Sequence, residues 1–295
     1  MSLPTVGAPP SFLEAVAALS EEAGSRYGQP MVGVRPVRGG ICGFVAVPSQ
    51  EVRLRELVAS EWPNAGVRLL ILANRRARVG VSPSASPLDI WRRPPGMGRE
   101  RTTELLPGDP MAEVIAFRGD HLLVRAPGSA IGWVPRDAAY SVAPVMGKIA
   151  GAGTAPLAAG DPHLQWSSER VLATALLQEG RPYVWGGTGG EGLDCSGLLW
   201  RAFLTDGVLL PRNSRAQRTV GVRVTRAQLR TGDLVGAVSR GPRRTSHVAL
   251  CISAEEVIHA CSEQGVVRRE PLRDFEQRYR ILTLRRLPGS ELPDR

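Results

Sequence analysis

Lysine is almost missing from this chain. Of its 37 basic residues only Lys148 is not arginine, and the arginines are spread along the whole length. There is no dense basic run, no zinc finger and no aromatic RNA-binding motif, so a nucleic-acid partner is not expected. The net charge of +9 bears on solubility and nonspecific association more directly than on function. Cysteine and histidine are scarce too, with four of each: Cys42, Cys195, Cys251, Cys261, and His121, His163, His247, His259. No cysteines form a CxxC pair, and a disulfide scaffold does not suit this size and density. No HExxH or Cys/His cluster has metal-ligand spacing, so neither a metal nor another cofactor is expected. No apolar run reaches the ~18 residues of a membrane span. The opening Met1-Ser-Leu-Pro lacks the basic region and apolar core of a secretory signal, so the expected compartment is the cytoplasm unless a leader was removed. Nothing in the residues reads out an oligomeric state.

What is present points to a folded, modular protein. Apolar residues make up 43%, and 33 glycines and 24 prolines imply many turns and short strands. The length allows two or three domains. Apolar periodicity predicts a helix over 11–24, strands over 31–36 and 41–47, a helix over 50–61 and a strand over 67–73. That order suggests a small α+β domain over 1–78 with Cys42 in its core. Short strands then follow at 88–91, 102–105, 111–117, 121–126 and 130–134, separated by turn signals such as Pro107-Gly-Asp109. Their regular spacing suggests a small β-barrel over 79–145. The runs Leu105-Leu-Pro-Gly-Asp-Pro, Gly119-Asp-His-Leu-Leu-Val-Arg and Ile131-Gly-Trp-Val-Pro resemble a bacterial SH3 domain. A Gly/Ala/Pro-rich linker is expected over 146–165, and an α+β domain over 166–288.

The chemistry is concentrated in that last domain. A helix is predicted over 168–179, capped by Ser167 or Ser168 and ended by Gly180. A second is predicted over 195–206, with Asp194 as N-cap and Gly207 past its end. Cys195 thus falls in a first helical turn, where unpaired N–H groups and the positive dipole end lower a thiol pKa. The same amides suit an oxyanion. Taken alone, a cysteine there is as often a buried core residue. Alternation over 246–252 points His247, Ala249 and Cys251 one way, and alternation over 256–261 aligns Val257, His259 and Cys261. A short hairpin between them predicts His247 directly opposite His259. Cys251 and Cys261 read as small core residues.

The motifs Tyr183-Val-Trp-Gly-Gly, Asp194-Cys-Ser-Gly, Leu210-Pro-Arg-Asn-Ser, Thr231-Gly-Asp-Leu-Val, Ser246-His-Val-Ala-Leu and Val257-Ile-His-Ala together resemble the NlpC/P60 cysteine peptidases, over about 120 residues. The resemblance implies a papain-like α+β core acting on peptidoglycan stem peptides, with Cys195 as nucleophile, His247 as general base and His259 as third member. An SH3-like module ahead of such a domain resembles the γ-D-glutamyl-L-diamino acid endopeptidases that take free muropeptides with an N-terminal L-Ala. That subgroup implies Tyr183, Asp194 and Ser196 around the substrate amine, with Asp109 and Trp133 contributed by the SH3-like module. Arg212 and Ser246 are placed to meet the diamino-acid carboxylate. Each has a plainer reading: Asp194 as helix cap, Tyr183 as packing or oxyanion contact, Ser196 as helix-start residue, Arg212 as structural. Three other functions remain open at this point: a secreted hydrolase of intact wall, a noncatalytic wall-binding protein, and an acyl transferase of related fold.

Overall fold

The computed structural model describes residues 8–27, 32–37, 39–45, 48–71, 79–93, 100–118, 120–135, 138, 140–144, 157–158, 165–241 and 244–289. The chain forms two compact units, Met1–Ala77 and Arg78–Arg295.

The first unit contains α1 (Pro10–Tyr27), β1 (Val32–Val37), β2 (Gly40–Val45), α2 (Pro48–Glu61) and β3 (Gly66–Ile71). β1 and β2 pair antiparallel, and the crossover through α2 returns β3 parallel to β2. Ile41 and Val45 of β2 are buried with Phe12, Leu19, Leu54 and Val58. Strand alternation turns Cys42 to the other face, so it is half-buried rather than a core residue. A side chain at Gly40 would meet the Gly66 backbone at 2.0 Å, so the β2–β3 approach requires glycine there.

The second unit opens with a seven-stranded antiparallel sheet. Its strands are β4 (Val79–Pro83), β5 (Leu88–Trp91), β6 (Arg101–Leu105), β7 (Ala112–Arg118), β8 (His121–Arg125), β9 (Ile131–Pro135) and β10 (Tyr140–Pro144). The five strands expected from periodicity are all present. β4 and β10, which pair with each other, are additional; each is short and ends on proline. Val81, Leu88, Ile90, Leu105, Ala112, Val124 and Val134 form a core belonging to this sheet. Of the expected linker, only β11 (Leu157–Ala158) and residue 165 lie within the described residues.

The C-terminal domain follows with α3 (Ser168–Leu176), α4 (Cys195–Thr205), β12 (Val208–Leu209), α5 (Ser214–Gln217) and β13 (Val222–Arg223). β14 (Leu234–Ser239), β15 (Ser246–Cys251), β16 (Glu256–Cys261), β17 (Val266–Pro271), α6 (Leu272–Arg278) and β18 (Tyr279–Arg286) complete it. The strands make an antiparallel sheet ordered β13-β18-β14-β15-β16-β17. Ser167 caps α3 by accepting from the Arg170 N–H at 3.2 Å. α4 buries its first six residues together with Ala202 and Phe203, the pattern of a helix enclosed on nearly all sides. It packs through Leu198, Leu199 and Phe203 against Val248, Leu250, Ile258 and Ala260 of the sheet. The opposite sheet face carries Ala249, Cys251 and Val257 against Leu272, Phe275 and Tyr279. The site lies where α4 begins against β15.

Candidate active site

Asp194 holds the start of α4. Its Oδ1 accepts from the Gly197 N–H at 2.6 Å and the Ser196 hydroxyl at 2.9 Å, and its Oδ2 accepts from the Gly186 N–H at 2.9 Å. The guanidinium of Arg212 closes a bidentate pair with the same carboxylate, Nη1 to Oδ1 at 3.0 Å and Nη2 to Oδ2 at 2.9 Å. Arg212 also donates to Ser196 Oγ, to the Gly187 carbonyl and, through Nε at 2.7 Å, to Thr103 Oγ1 of β6. Its side chain is buried. Five donors therefore converge on a carboxylate that offers about four lone-pair sites. Asp194, expected near a substrate ammonium, and Arg212, expected near a substrate carboxylate, are joined here in an internal ion pair.

This cap sets the geometry of Cys195, the first residue of α4 and itself buried. Its sulfur accepts from the backbone N–H groups of Val248 and Ser196, so it lies against the peptide that links His247 to Val248. The sequence argument expected a lowered thiol pKa. The structure reverses it: burial, and secondarily the charge of Asp194, push the Cys195 thiol up to about 12 against the opposing pull of the Val248 N–H and Arg212. The Asp194 charge opposes the helix-end field that favours a thiolate, and burial outweighs that field.

The two histidines meet, but not by direct opposition. β15 and β16 pair Leu250 with Ile258 and Cys251 with Val257, a register two residues away from the one expected. A two-residue shift keeps side chains on the same face, and the rings span the diagonal. His247 Nε2 lies 2.8 Å from His259 Nδ1, with ring centroids 5.0 Å apart and nearly perpendicular. His247 stacks on Tyr279 at 4.2 Å, and both histidines pack against Phe275. Burial, first, and neighbouring cationic groups hold His247 well below the usual imidazole range and bring His259 down to about 3. Both rings are neutral near pH 7, and the Cys195 thiol keeps its proton.

The relay continues beyond the residues expected from sequence. His259 Nε2 lies 2.8 Å from Glu270 Oε1, and Arg278 pairs with Glu270 Oε2. Glu270 is buried on β17, whose register sets Glu270 opposite Val257 and Arg268 opposite His259. It therefore shares the histidine face of the sheet. The alternation of Arg268 and Glu270 beside the Val257/His259 strand is the signal that could have revealed it.

The remaining expected residues divide. Tyr183 is half-buried close enough to Cys195 for the thiol's charge to count among the influences that, after burial, raise its phenol above the usual range. It stays a hydroxyl donor. Ser196 is buried within the Asp194–Arg212 network, and Ser246 is held by the Ser214 hydroxyl at 2.9 Å. Asp109 is tied to Arg201 of α4 by two hydrogen bonds of 2.5 and 2.8 Å, and it accepts from the Leu106 N–H. These contacts make Asp109 a tie between the seven-stranded sheet and α4. Trp133 pairs in register with Leu123 and Trp91 inside that sheet. Sequence reasoning missed Glu104, which is buried on β6. Its Oε1 accepts three backbone N–H groups, from Thr188, Gly189 and Gly190, at 2.7–3.0 Å. Arg101 of β6 donates to the Trp185 carbonyl in the same loop. A side chain at Gly186 would strike the Arg101 backbone at 2.8 Å, so β6 and the Tyr183-Val-Trp-Gly-Gly loop are in direct contact.

A buried helix opening on a cysteine, laid against a sheet that carries joined histidines, defines an α+β domain of the thiol-peptidase class. Residues 180–285 match the NlpC/P60 family, and this part of the chain belongs to that family. Among curated relatives, the γ-D-glutamyl-L-lysine dipeptidyl-peptidase of Bacillus cereus is 34% identical over 107 residues, 36% of this chain and 32% of the relative. The murein DD-endopeptidase MepS/murein LD-carboxypeptidase of Escherichia coli K12 is 38% identical over 99 residues, 33% of this chain and 52% of the relative. The chain thus spans about a third to a half of these two relatives. Among solved structures, an NlpC/P60 family protein from Bacillus cereus overlaps 72% of this chain and 63% of its own, at 21% identity and a TM-score of 0.39.

Proposed function

We propose that this protein is a cysteine peptidase that hydrolyses the γ-D-glutamyl-L-diamino acid bond of peptidoglycan stem peptides, acting on free muropeptides with an N-terminal L-Ala. The observation that carries this reading is the sulfur of Cys195, at the head of α4, lying against the peptide of a histidine whose ring is already hydrogen bonded to a second histidine. Cys195 is the nucleophile, His247 the general base and His259 the third member. As sulfur attacks the γ-D-glutamyl carbonyl carbon, the thiol proton passes to His247 Nδ1. The Cys195 backbone N–H, one of the unpaired donors of a first helical turn, and the Tyr183 hydroxyl are the groups at hand for the oxyanion. Collapse breaks the C–N bond, and His247 returns the proton to the leaving amine. His247 then deprotonates water, which attacks the thioester and releases the thiol. In an unliganded site the thiol–imidazole contact need not be formed, because such hydrogen bonds tighten with substrate.

The name of the Bacillus cereus relative supports the γ-D-glutamyl linkage. The seven-stranded sheet, which we read as the SH3-like module, supports a short substrate because β6 is seated on the loop beside Tyr183. Cleavage of L-Ala-γ-D-Glu-diaminopimelate and of its lysine counterpart, each with a free and an N-acetylated amine, tests both parts. Wild type is expected to cleave the free peptides and Cys195→Ala to cleave none. Full activity of Cys195→Ala overturns the mechanism, and a preference for the acetylated peptides overturns the free-muropeptide substrate in favour of intact wall.

A further inference from the structure

The geometry points to Glu270 as a positioning residue that sets the tautomers of both histidines, with Arg278 fixing its orientation. This rests on the proposed peptidase only in its kinetic consequence. Arg278 can only donate, so the oxygen it holds, Oε2, is an acceptor. The other oxygen, Oε1, faces His259 Nε2 at 2.8 Å and can only accept from it as a carboxylate. His259 therefore carries its proton on Nε2 and presents a bare Nδ1. That lone pair faces His247 Nε2 at 2.8 Å, so His247 carries its proton on Nε2. The proton-free atom of His247 is then Nδ1, the one nitrogen not committed to the relay and the one a thiol proton needs. One carboxylate thus decides, through two rings, where the base has its lone pair.

Glu270→Gln gives a sharp test because Arg278 dictates how the amide must turn. The amide oxygen goes to Arg278, and the NH2 then faces His259 Nε2, which has to accept. Each proton along the relay moves to the opposite ring nitrogen, and His247 ends protonated on Nδ1. A change from carboxylate to amide beside a catalytic histidine is known to impose the wrong tautomer in this way. The expected kinetic effect is a fall in kcat of about 10²–10⁴, the share a positioned general base supplies, with KM little changed. Glu270→Asp keeps the acceptor and should keep most of the rate.

The experiment is nitrogen NMR on the full chain labelled with [15N]histidine, in which only four histidines contribute. Wild type is expected to show His247 and His259 neutral at pH 7, both protonated on Nε2, and Glu270→Gln to show both protonated on Nδ1. Wild-type His247 protonated on Nδ1, or an unchanged tautomer in folded Glu270→Gln, would overturn the assignment. The wild-type spectrum decides even if the variant does not fold. A wild type with the expected tautomers that cleaves no stem peptide would sink the peptidase reading and leave the relay standing.

Discussion

Arg212→Met is expected to destabilise the second unit severely. Arg212 is buried, forms two charge-assisted hydrogen bonds to Asp194, and makes three more to Ser196, Gly187 and Thr103. Methionine matches much of the volume, so the loss is mainly electrostatic. Removing one partner of a buried ion pair costs about 3–5 kcal/mol, because the other charge stays desolvated. Asp194 keeps the Gly186 and Gly197 N–H groups and the Ser196 hydroxyl, which points to the lower half of that range. Asp194→Asn alone should cost a similar amount, since it leaves the guanidinium without its counterion. The double variant should cost less than the sum by about 2 kcal/mol, the coupling expected of residues in one network. Urea unfolding followed by tryptophan fluorescence reads all three values, with Trp166 and Trp200 buried in the α4 core as reporters. A loss under about 1 kcal/mol for Arg212→Met, or strict additivity in the cycle, would refute the clamp.

Three further outcomes are expected. With the Cys195 thiol pushed up to about 12, its alkylation by iodoacetamide should rise about tenfold per pH unit through neutrality; a pH-independent plateau below about pH 7 would mean a resting thiolate–imidazolium pair instead. His259 is held at about 3 in the fold against the ordinary value of 6.5. The unfolded chain therefore binds the extra proton first, and stability should be full above about 6.5 and fall by up to about 1.4 kcal/mol per unit as pH drops toward 3. Denaturant midpoints for wild type and His259→Gln check this, since the variant should lose that part of the slope. Glu104→Ala strands three loop N–H groups on the Thr188–Gly190 segment. It should cost about 3 kcal/mol and expose the loop to limited proteolysis, whereas unchanged protection would show that β6 does not hold it.

Much of the site was legible because its parts are local. Asp194 caps α4 and Gly207 follows its end because capping chemistry depends on neighbours in sequence. The two histidines share a face because strand alternation survives a register error of two. The error itself came from centring the hairpin on Ser253, whereas the pairing of Cys251 with Val257 centres it on Ala254. The pairing of Arg278 with Glu270, the loop contacts of Glu104 and the second use of Arg212 were not legible for a different reason. Each is defined by a contact across 8 to 109 residues of chain, and nothing in a local window says which arginine a buried carboxylate will find. The helix-start thiol failed differently: the dipole argument was sound, but its sign was outweighed by burial and by the carboxylate that caps the helix.

That reversal ties the two halves of the site together. Had the helix end lowered the Cys195 thiol, the nucleophile would stand ready as thiolate, and the tautomer of His247 would matter little, because an imidazolium carries a proton on both nitrogens. In the proposed mechanism a thiol pushed up to about 12 instead loses its proton to a neutral His247 during attack. Proton loss at that moment requires a free lone pair on the correct ring nitrogen. Burial of Cys195 at the head of α4, reinforced by the Asp194 charge, therefore creates the demand that the proposed His259–Glu270–Arg278 relay would meet. Asp194→Asn deletes the anion and should lower the thiol pKa, which raises the alkylation rate at any given pH while burial keeps the tenfold rise per pH unit. Combined with Glu270→Gln, it should shrink the kcat loss that Glu270→Gln causes alone; an undiminished loss in the double variant would separate the two networks.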